Sequence, residues 1–395
     1  MKQYLRIMHA PAADQAGVQD KVENAYVGHE SRRLLSTVNY ASNTNVVLEI
    51  PRDSSYKRMS LLSRFACTAT YASGSPTISP FGALARLMPN FTLVADGYRN
   101  VKVLDIYMQR CMNALAWGTF PRRARNTGAS LTGTNTIPAT EHYAGTIAYG
   151  STTQDIVYME QVGIDFEVPR FLHGIGRQFS QLYARNLQSL TATFGFGDVT
   201  SLQTTGVAAP VVYTNVSLAI TPVMIEDRFA DINSGAFDFN EFVVRRTYSS
   251  AQSNAQILLS AGNKLLGVGI MAQNGDSALS LSDVVLTNIN LFTNGVNPIV
   301  KDTFLSLQSD NKMRQGISDD QFASSLHAMT GFAHINLVKD SDIRSGLATD
   351  LASGISTVEL QVDTGAASGL NAVTYTNGVT ISVLQQQLVK VPAKG

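Results

Sequence analysis

The sequence predicts an all-β chain with a few short helices, organised as two copies of one β-domain. Three observations carry that reading. Apolar residues alternate with period two. The connections are rich in Gly, Ser, Thr and Asn. Short blocks recur in the same order in two halves of the chain.

The alternation is clearest in four segments. Val216, Leu218 and Ile220 alternate with polar or small neighbours, as do Ile289 with Leu291, Val358 with Leu360 and Val362, and Val379 with Ile381 and Val383. Each pattern buries one face of a strand. Ile156–Val168 reads as a further strand. Asn126–Thr136, Thr204–Ala208 and Thr364–Asn371 read as loops. Many short strands with such connections define sandwiches or barrels.

Helical spacing interrupts the pattern in four places. Val18, Val22 and Tyr26 share a face in an otherwise polar N-terminal segment, and Leu104, Met108, Cys111, Met112 and Leu115 form a second stripe. Pro169 opens a third, with Ile175, Phe179, Leu182 and Tyr183 on one face. Ser318-Asp319-Asp320-Gln321 reads as a capping box ahead of Phe322, Leu326 and Met329.

The recurring blocks come next. Asn90–Gly97 matches Asn288–Gly295 at an offset of 198, each ending in an Asp-Gly or Asn-Gly turn and each followed by a helical stripe. Leu190–Phe196 and Val358–Thr364 both run into Gly. Tyr213-Thr214-Asn215 recurs as Tyr375-Thr376-Asn377. Three landmarks in one order predict a duplication. The expected division is an arm over 1–43, a first copy over 44–226 and a second over 227–395.

Composition bounds the function. The 395 residues carry 30 basic and 30 acidic side chains, so no net charge points to sequence-specific nucleic-acid binding. The balance is a cancellation: residues 1–226 hold 19 basic and 15 acidic groups, and residues 227–395 hold 11 and 15. The 44% hydrophobic content excludes disorder, and two cysteines exclude a disulfide scaffold. Only 15% of residues are charged, against ~25% in ordinary soluble domains. Such a surface fits a subunit covered by neighbours. Residues 1–20 contain no apolar signal core.

Motifs for chemistry are sparse. The six histidines form no i, i+4 pair, and Cys67 and Cys111 form no CxxC, so no metal or cofactor is expected. Cys67 and Cys111 read as buried free thiols. Ser54-Ser55-Tyr56-Lys57 is a chance S-x-x-K, and Gly195-Phe196-Gly197 and Gly267-Val268-Gly269 read as turn or strand-end glycines. Asp165 and Glu167 could pair as in a glycosidase, but read better as a solvent-facing strand edge. Asp340-Ser341-Asp342 reads as a turn, with a Ca²⁺ site as the alternative. The sequons at Asn90 and Asn215 lie inside expected strands and read as incidental. Arg122, Arg123 and Arg125 form the one dense charge cluster, a candidate contact for phosphate, lipid headgroups or an acidic neighbour. Val18, Val22 and Tyr26 form the candidate docking face of the N-terminal helix.

The duplicated β-domain, the N-terminal helix and the block Phe81–Leu115 resemble the double jelly-roll major capsid proteins of tailless icosahedral viruses, the tectivirus, corticovirus and adenovirus lineage, above all those of membrane-containing bacterial viruses. Asp96-Gly97 followed by Leu104–Met112 matches the family's turn and short helix. The second copy departs from it, with Asn297-Pro298 after Gly295 and a short stripe at Phe304 and Leu307. The resemblance implies two tandem eight-stranded jelly rolls in a structural, non-enzymatic coat protein of the virion, made in the host cytoplasm. It implies homotrimers forming pseudo-hexagonal tiles of an icosahedral bacteriophage shell. Penton and minor capsid proteins, and an internal membrane, would be its other partners. A receptor- or carbohydrate-binding spike or adhesin sandwich is the alternative, weakened by the single Trp117. A cupin- or glycosidase-type jelly-roll enzyme would need a His/carboxylate cluster that the sequence does not show.

Overall fold

The structure is a computed structural model. It describes residues 30–70, 77–78, 83–117, 123–124, 147–148, 153–169, 172, 180–202, 212–227, 237–274, 281–317, 329–338, 346–349, 353–367, 373–376 and 378–390.

The first part of the chain supplies β1 (Glu30–Leu34), β2 (Val38–Asn39), β3 (Asn45–Glu49), β4 (Ser55–Thr70), β5 (Thr77–Ile78), β6 (Asn90–Ala95), β7 (Arg99–Asp105), β8 (Arg123–Ala124), β9 (Ile147–Ala148), β10 (Thr153–Asp165), β11 (Leu182–Tyr183), β12 (Leu190–Gly195) and β13 (Val212–Asp227). The later part supplies β14 (Phe237–Tyr248), β15 (Ala255–Leu259), β16 (Lys264–Asn274), β17 (Leu286–Thr293), β18 (Asn297–Thr303), β19 (Phe332–Asn336), β20 (Leu347–Ala348), β21 (Val358–Thr364) and β22 (Val379–Lys390). Three α-helices lie among the described residues: α1 (Ala83–Leu87), α2 (Ile106–Trp117) and α3 (Phe304–Gln315).

These strands build two sandwiches. In the first, the sheet β1-β13-β4-β10-β8 covers β7-β6-β12-β3. Leu61, Phe65 and Leu218 from one sheet meet Phe91, Leu93 and Phe194 from the other in one core. In the second, β14-β22-β16-β19 covers β18-β17-β21-β15, with Val268, Ile270 and Ile381 against Ile289, Leu291 and Leu360. Alternation explains the outer strands: β12 and β21 bury every second residue. The strands β16 and β22 are buried on both faces, so β16 runs as the near-continuous apolar stretch LLGVGIMA.

The repeat is exact in register. In the pair β6–β7, Leu93 faces Lys102 and Val94 faces Asn100, with Val101 bulged between. In β17–β18, Leu291 faces Val300 and Phe292 faces Pro298, with Ile299 bulged. Both bulges, both turns and both helix starts (Ile106 and Phe304) differ by the same 198 residues read from the sequence. The turns follow from Asp96-Gly97 and Asn294-Gly295, all four at positive φ. Caps fix the helix starts. Asp105 Oδ1 accepts from the amides of Tyr107 and Met108, and Thr303 Oγ1 accepts from that of Ser306. The α3 helix stops at Gly316, which adopts φ 63.

Several expectations need correction. Leu104 belongs to β7, because it pairs opposite Phe91, and the helix begins two residues later. Leu182 and Tyr183 form β11 rather than a helix, since the start of β4 at Ser55 and Tyr56 pairs with them. Phe304 and Leu307, a weak stripe in the sequence, sit in a full 12-residue helix. Residues 18–26, 318–328, Asn126–Thr136 and Thr204–Ala208 lie outside the described residues. Among the described residues no helix is long and apolar enough to cross a membrane.

Candidate functional site

The sandwiches share one sheet. The strand β14 pairs in parallel with β7, Glu241 opposite Lys102 and Phe242 opposite Val103, so the sheet runs on as β19-β16-β22-β14-β7-β6-β12-β3. All other described strand pairs are antiparallel. This seam carries the densest charge chemistry of the described residues.

Three ion pairs cross it. Arg99 on β7 meets Asp238 on β14. Lys102 Nζ lies 2.7 Å from Glu241 Oε2, and Arg245 Nη2 lies 2.7 Å from Asp105 Oδ2. The strands thus read plus, plus, minus against minus, minus, plus. A slipped register would separate these pairs, so the pattern favours the observed pairing. Burial pushes the Asp238 and Asp105 carboxyls above their ordinary range, although Arg99 and Arg245 pull the other way. Burial also lowers the Lys102 ammonium, against the attraction of Glu241. The ammonium packs over the Phe239 ring, 4.1 Å from its centroid.

A polar chain continues inward. Gln386 Nε2 donates to Glu241 Oε1 at 2.8 Å, which turns Gln386 Oε1 toward His334 Nε2 at 2.9 Å. The imidazole therefore carries its proton on Nε2, and burial lowers it from 6.5 to about 4. Gly267 makes room for this contact: a Cβ there would lie 2.6 Å from His334 Nε2. Gly267 and Gly269 are thus mid-strand packing glycines of β16, not the turn or strand-end glycines expected from sequence.

The α2 helix closes the back of the seam. It is buried all round, with Met108 and Cys111 in the first core beside Met271 and Leu384 of the second sandwich. Most of its polar groups are matched: Gln109 and Asn113 donate to the Gly163 carbonyl, Asn113 accepts from the Gly163 amide, and Arg110 pairs with Glu160 at 3.7 Å. Tyr107 donates to the Thr330 carbonyl across the two sandwiches. Among the described residues nine charged side chains are buried, among them Lys102, Arg110, Glu160 and Glu241.

The residues singled out in sequence fall elsewhere. Arg123 contributes backbone to β8, opposite Glu160, while Arg122, Arg125, Val18, Val22 and Tyr26 lie outside the described residues. Asp165 and Glu167 are buried and committed, correcting the solvent-facing reading: Asp165 holds Arg58 Nε at 2.5 Å, and Glu167 accepts from Gln181. Cys67 and Cys111 are free and buried, the latter pushed up to about 12 by burial. No group of metal-ligating side chains gathers among the described residues. Asp340-Ser341-Asp342 lies outside them. The seam was not singled out from sequence, although its signal is there: Lys102 between Val101 and Val103, and Glu241 beside Phe242, are charges inside otherwise apolar strand patterns.

No family sequence profile and no curated sequence matches the chain. Solved structures do. The crystal structure of the STIV MCP aligns at TM-score 0.59 and 13% identity, covering 92% of this chain and 97% of that one. A chain in the atomic structure of Sulfolobus Turreted Icosahedral Virus aligns at TM-score 0.60 and 12% identity, covering 91% and 90%. The major capsid protein P2 from Bacteriophage PM2 covers 93% of this chain at 11% identity, with a TM-score of 0.44. The first two likenesses, with the paired sandwiches above, show that this chain has the double jelly-roll fold.

Proposed function

We propose that the chain is a viral major capsid protein, a structural subunit of the virion that assembles with copies of itself into an icosahedral shell. The observation that carries this is the two-sandwich architecture itself, shared over nine-tenths of both chains with the STIV MCP and a chain of the Sulfolobus Turreted Icosahedral Virus particle. The seam supports the reading: its ion pairs lock two sandwiches into one broad unit, and its polar chain ends in buried, satisfied groups. In this proposal the role is non-enzymatic.

The finer reading has four parts. The chain divides into an arm over 1–43, whose residues 30–39 join the first sheet, and jelly rolls over 44–226 and 227–395. Homotrimers form the pseudo-hexagonal tile. Arg122, Arg123 and Arg125 contact an acidic neighbour or lipid phosphate, and Val18, Val22 and Tyr26 dock the arm. Penton and minor capsid proteins, and an internal membrane surface, are the remaining partners. Native mass spectrometry and negative-stain microscopy of the purified protein test the proposal. Trimers with pseudo-hexagonal outlines are expected, and a monomer that persists at high concentration overturns it.

A further inference from the structure

The internal seam has an unfilled counterpart. The strand β18 corresponds to β7 residue by residue, with the same bulge and the same helix start 198 residues on. Whereas β7 is covered by β14, β18 is an open edge of its sheet among the described residues. The difference shows at equivalent positions: Val101 is 1% exposed, and Ile299 in its place is 40% exposed.

The counterpart of β14 is β1. Each is the strand outside β22 or β13, in the orders β14-β22-β16-β19 and β1-β13-β4-β10. Each neighbouring ladder skips one residue near the same end, Leu266 in β16 and Lys57 in β4. That shared irregularity aligns Gln386 with Ile225, and therefore their outer partners, Glu241 with Arg32. The strand β1 is also an open edge among the described residues, and Leu34, aligned with the partly buried Val243, is 72% exposed.

Resting on the proposal that the chain assembles with itself, we infer that β18 of one copy pairs in parallel with β1 of the next, repeating between chains the pairing that β7 and β14 make within one. The register that follows places Arg32 opposite Val300, Arg33 opposite Lys301 and Leu34 opposite Asp302; the Arg33 charge is already matched by Asp53 and Glu226 of its own chain. Three features favour a second copy as the occupant. The chain already contains this interface once, in a form that closes. Each copy offers one edge of each kind, so the contact is heterologous and passes from copy to copy. Both edges expose apolar side chains where the internal seam buries them. Pro298, which cannot donate to a ladder, corresponds to Asn100 and lies outside the two-residue stretch that β14 pairs with, so it does not obstruct the contact.

The test is oxidative cross-linking of the double variant Leu34→Cys, Asp302→Cys in the full chain. The native Cys67 and Cys111 are buried and do not compete. Covalent chain-to-chain multimers are expected on non-reducing gels. A control, Val47→Cys with Leu258→Cys on the edges β3 and β15, is expected to stay monomeric. Should the variant misfold, amide exchange of the wild type gives the same reading: residues 30–34 and 300–303 should exchange about tenfold more slowly in the assembly than in the diluted monomer. Trimers without cross-linking or protection at these edges, or with links at 47 and 258, overturn the inference and leave the capsid proposal standing. A wild-type monomer at high concentration overturns both.

Discussion

Lys102 and Glu241 form an ion pair sealed from solvent on the two strands that join the sandwiches, with Nζ 2.7 Å from Oε2 and both side chains within 2% of full burial. Neither charge has water to turn to. The pair costs desolvation energy, but within the folded chain each partner depends on the other.

Removing one partner is therefore expensive. Lys102→Met strands the Glu241 carboxylate and should destabilise the chain by about 3–5 kcal/mol in urea unfolding. Lys102→Met combined with Glu241→Gln keeps an acceptor for Gln386 and removes the stranded charge, so it should recover much of that loss. A double variant as unstable as the single would show that the seam does not rest on this pair.

His334 makes stability fall in weak acid. Its imidazole titrates near 6.5 when unfolded and is lowered to about 4 when folded, so the unfolded chain takes the proton first. The contribution is complete above pH 6.5 and shrinks as pH drops toward 4, by about 3 kcal/mol in all. Asp105 and Asp238, raised by burial, act in the opposite direction, since the folded chain takes their protons first as pH falls. The measurement is therefore a difference: unfolding of wild type minus His334→Gln between pH 7 and pH 4. A flat difference would refute the assignment.

Gly267 and Gly269 should part company on substitution. The Gly267→Ala methyl would meet His334 Nε2 at 2.6 Å and Gln386 Oε1 at 2.9 Å, whereas at Gly269 the nearest atoms are 3.2–3.3 Å away. Overpacking of the first kind costs about 1–3 kcal/mol. Thermal unfolding should show Gly267→Ala as clearly the weaker protein.

Gly97→Ala and Gly295→Ala should cost the same. Neither site has an atom within 4 Å of a new Cβ, so only the left-handed backbone, φ 77 and φ 69, opposes the substitution, by about 1–2 kcal/mol each. Unequal losses in denaturant titrations would mean that the two turns are not equivalent.

Strands and repeat were legible in the sequence because their signals are local. Alternation marked β13, β17, β21 and β22, and Asp96-Gly97 and Asn294-Gly295 marked the duplicated turn, down to the offset that also governs the bulges. The seam was hidden because its logic is non-local: Lys102 and Glu241 lie 139 residues apart, and each alone reads as an ordinary strand charge. The helix expected over Leu182 and Tyr183 failed for the same reason, since the pairing partner that claims them is Ser55–Tyr56. The Asp165 and Glu167 carboxyls alternate as surface residues would, and only the arrival of Arg58 and Gln181 makes them interior.

The parallel join between β7 and β14 gives the chain an uneven mechanical response. A force along the strands loads the ladder and the three ion pairs in shear, all at once. A force that draws the sandwiches apart sideways opens the same contacts one after another, beginning at the end held by Arg99 and Asp238 or that held by Arg245 and Asp105. The two sandwiches are thus held more firmly against sliding along the strands than against being drawn apart across them.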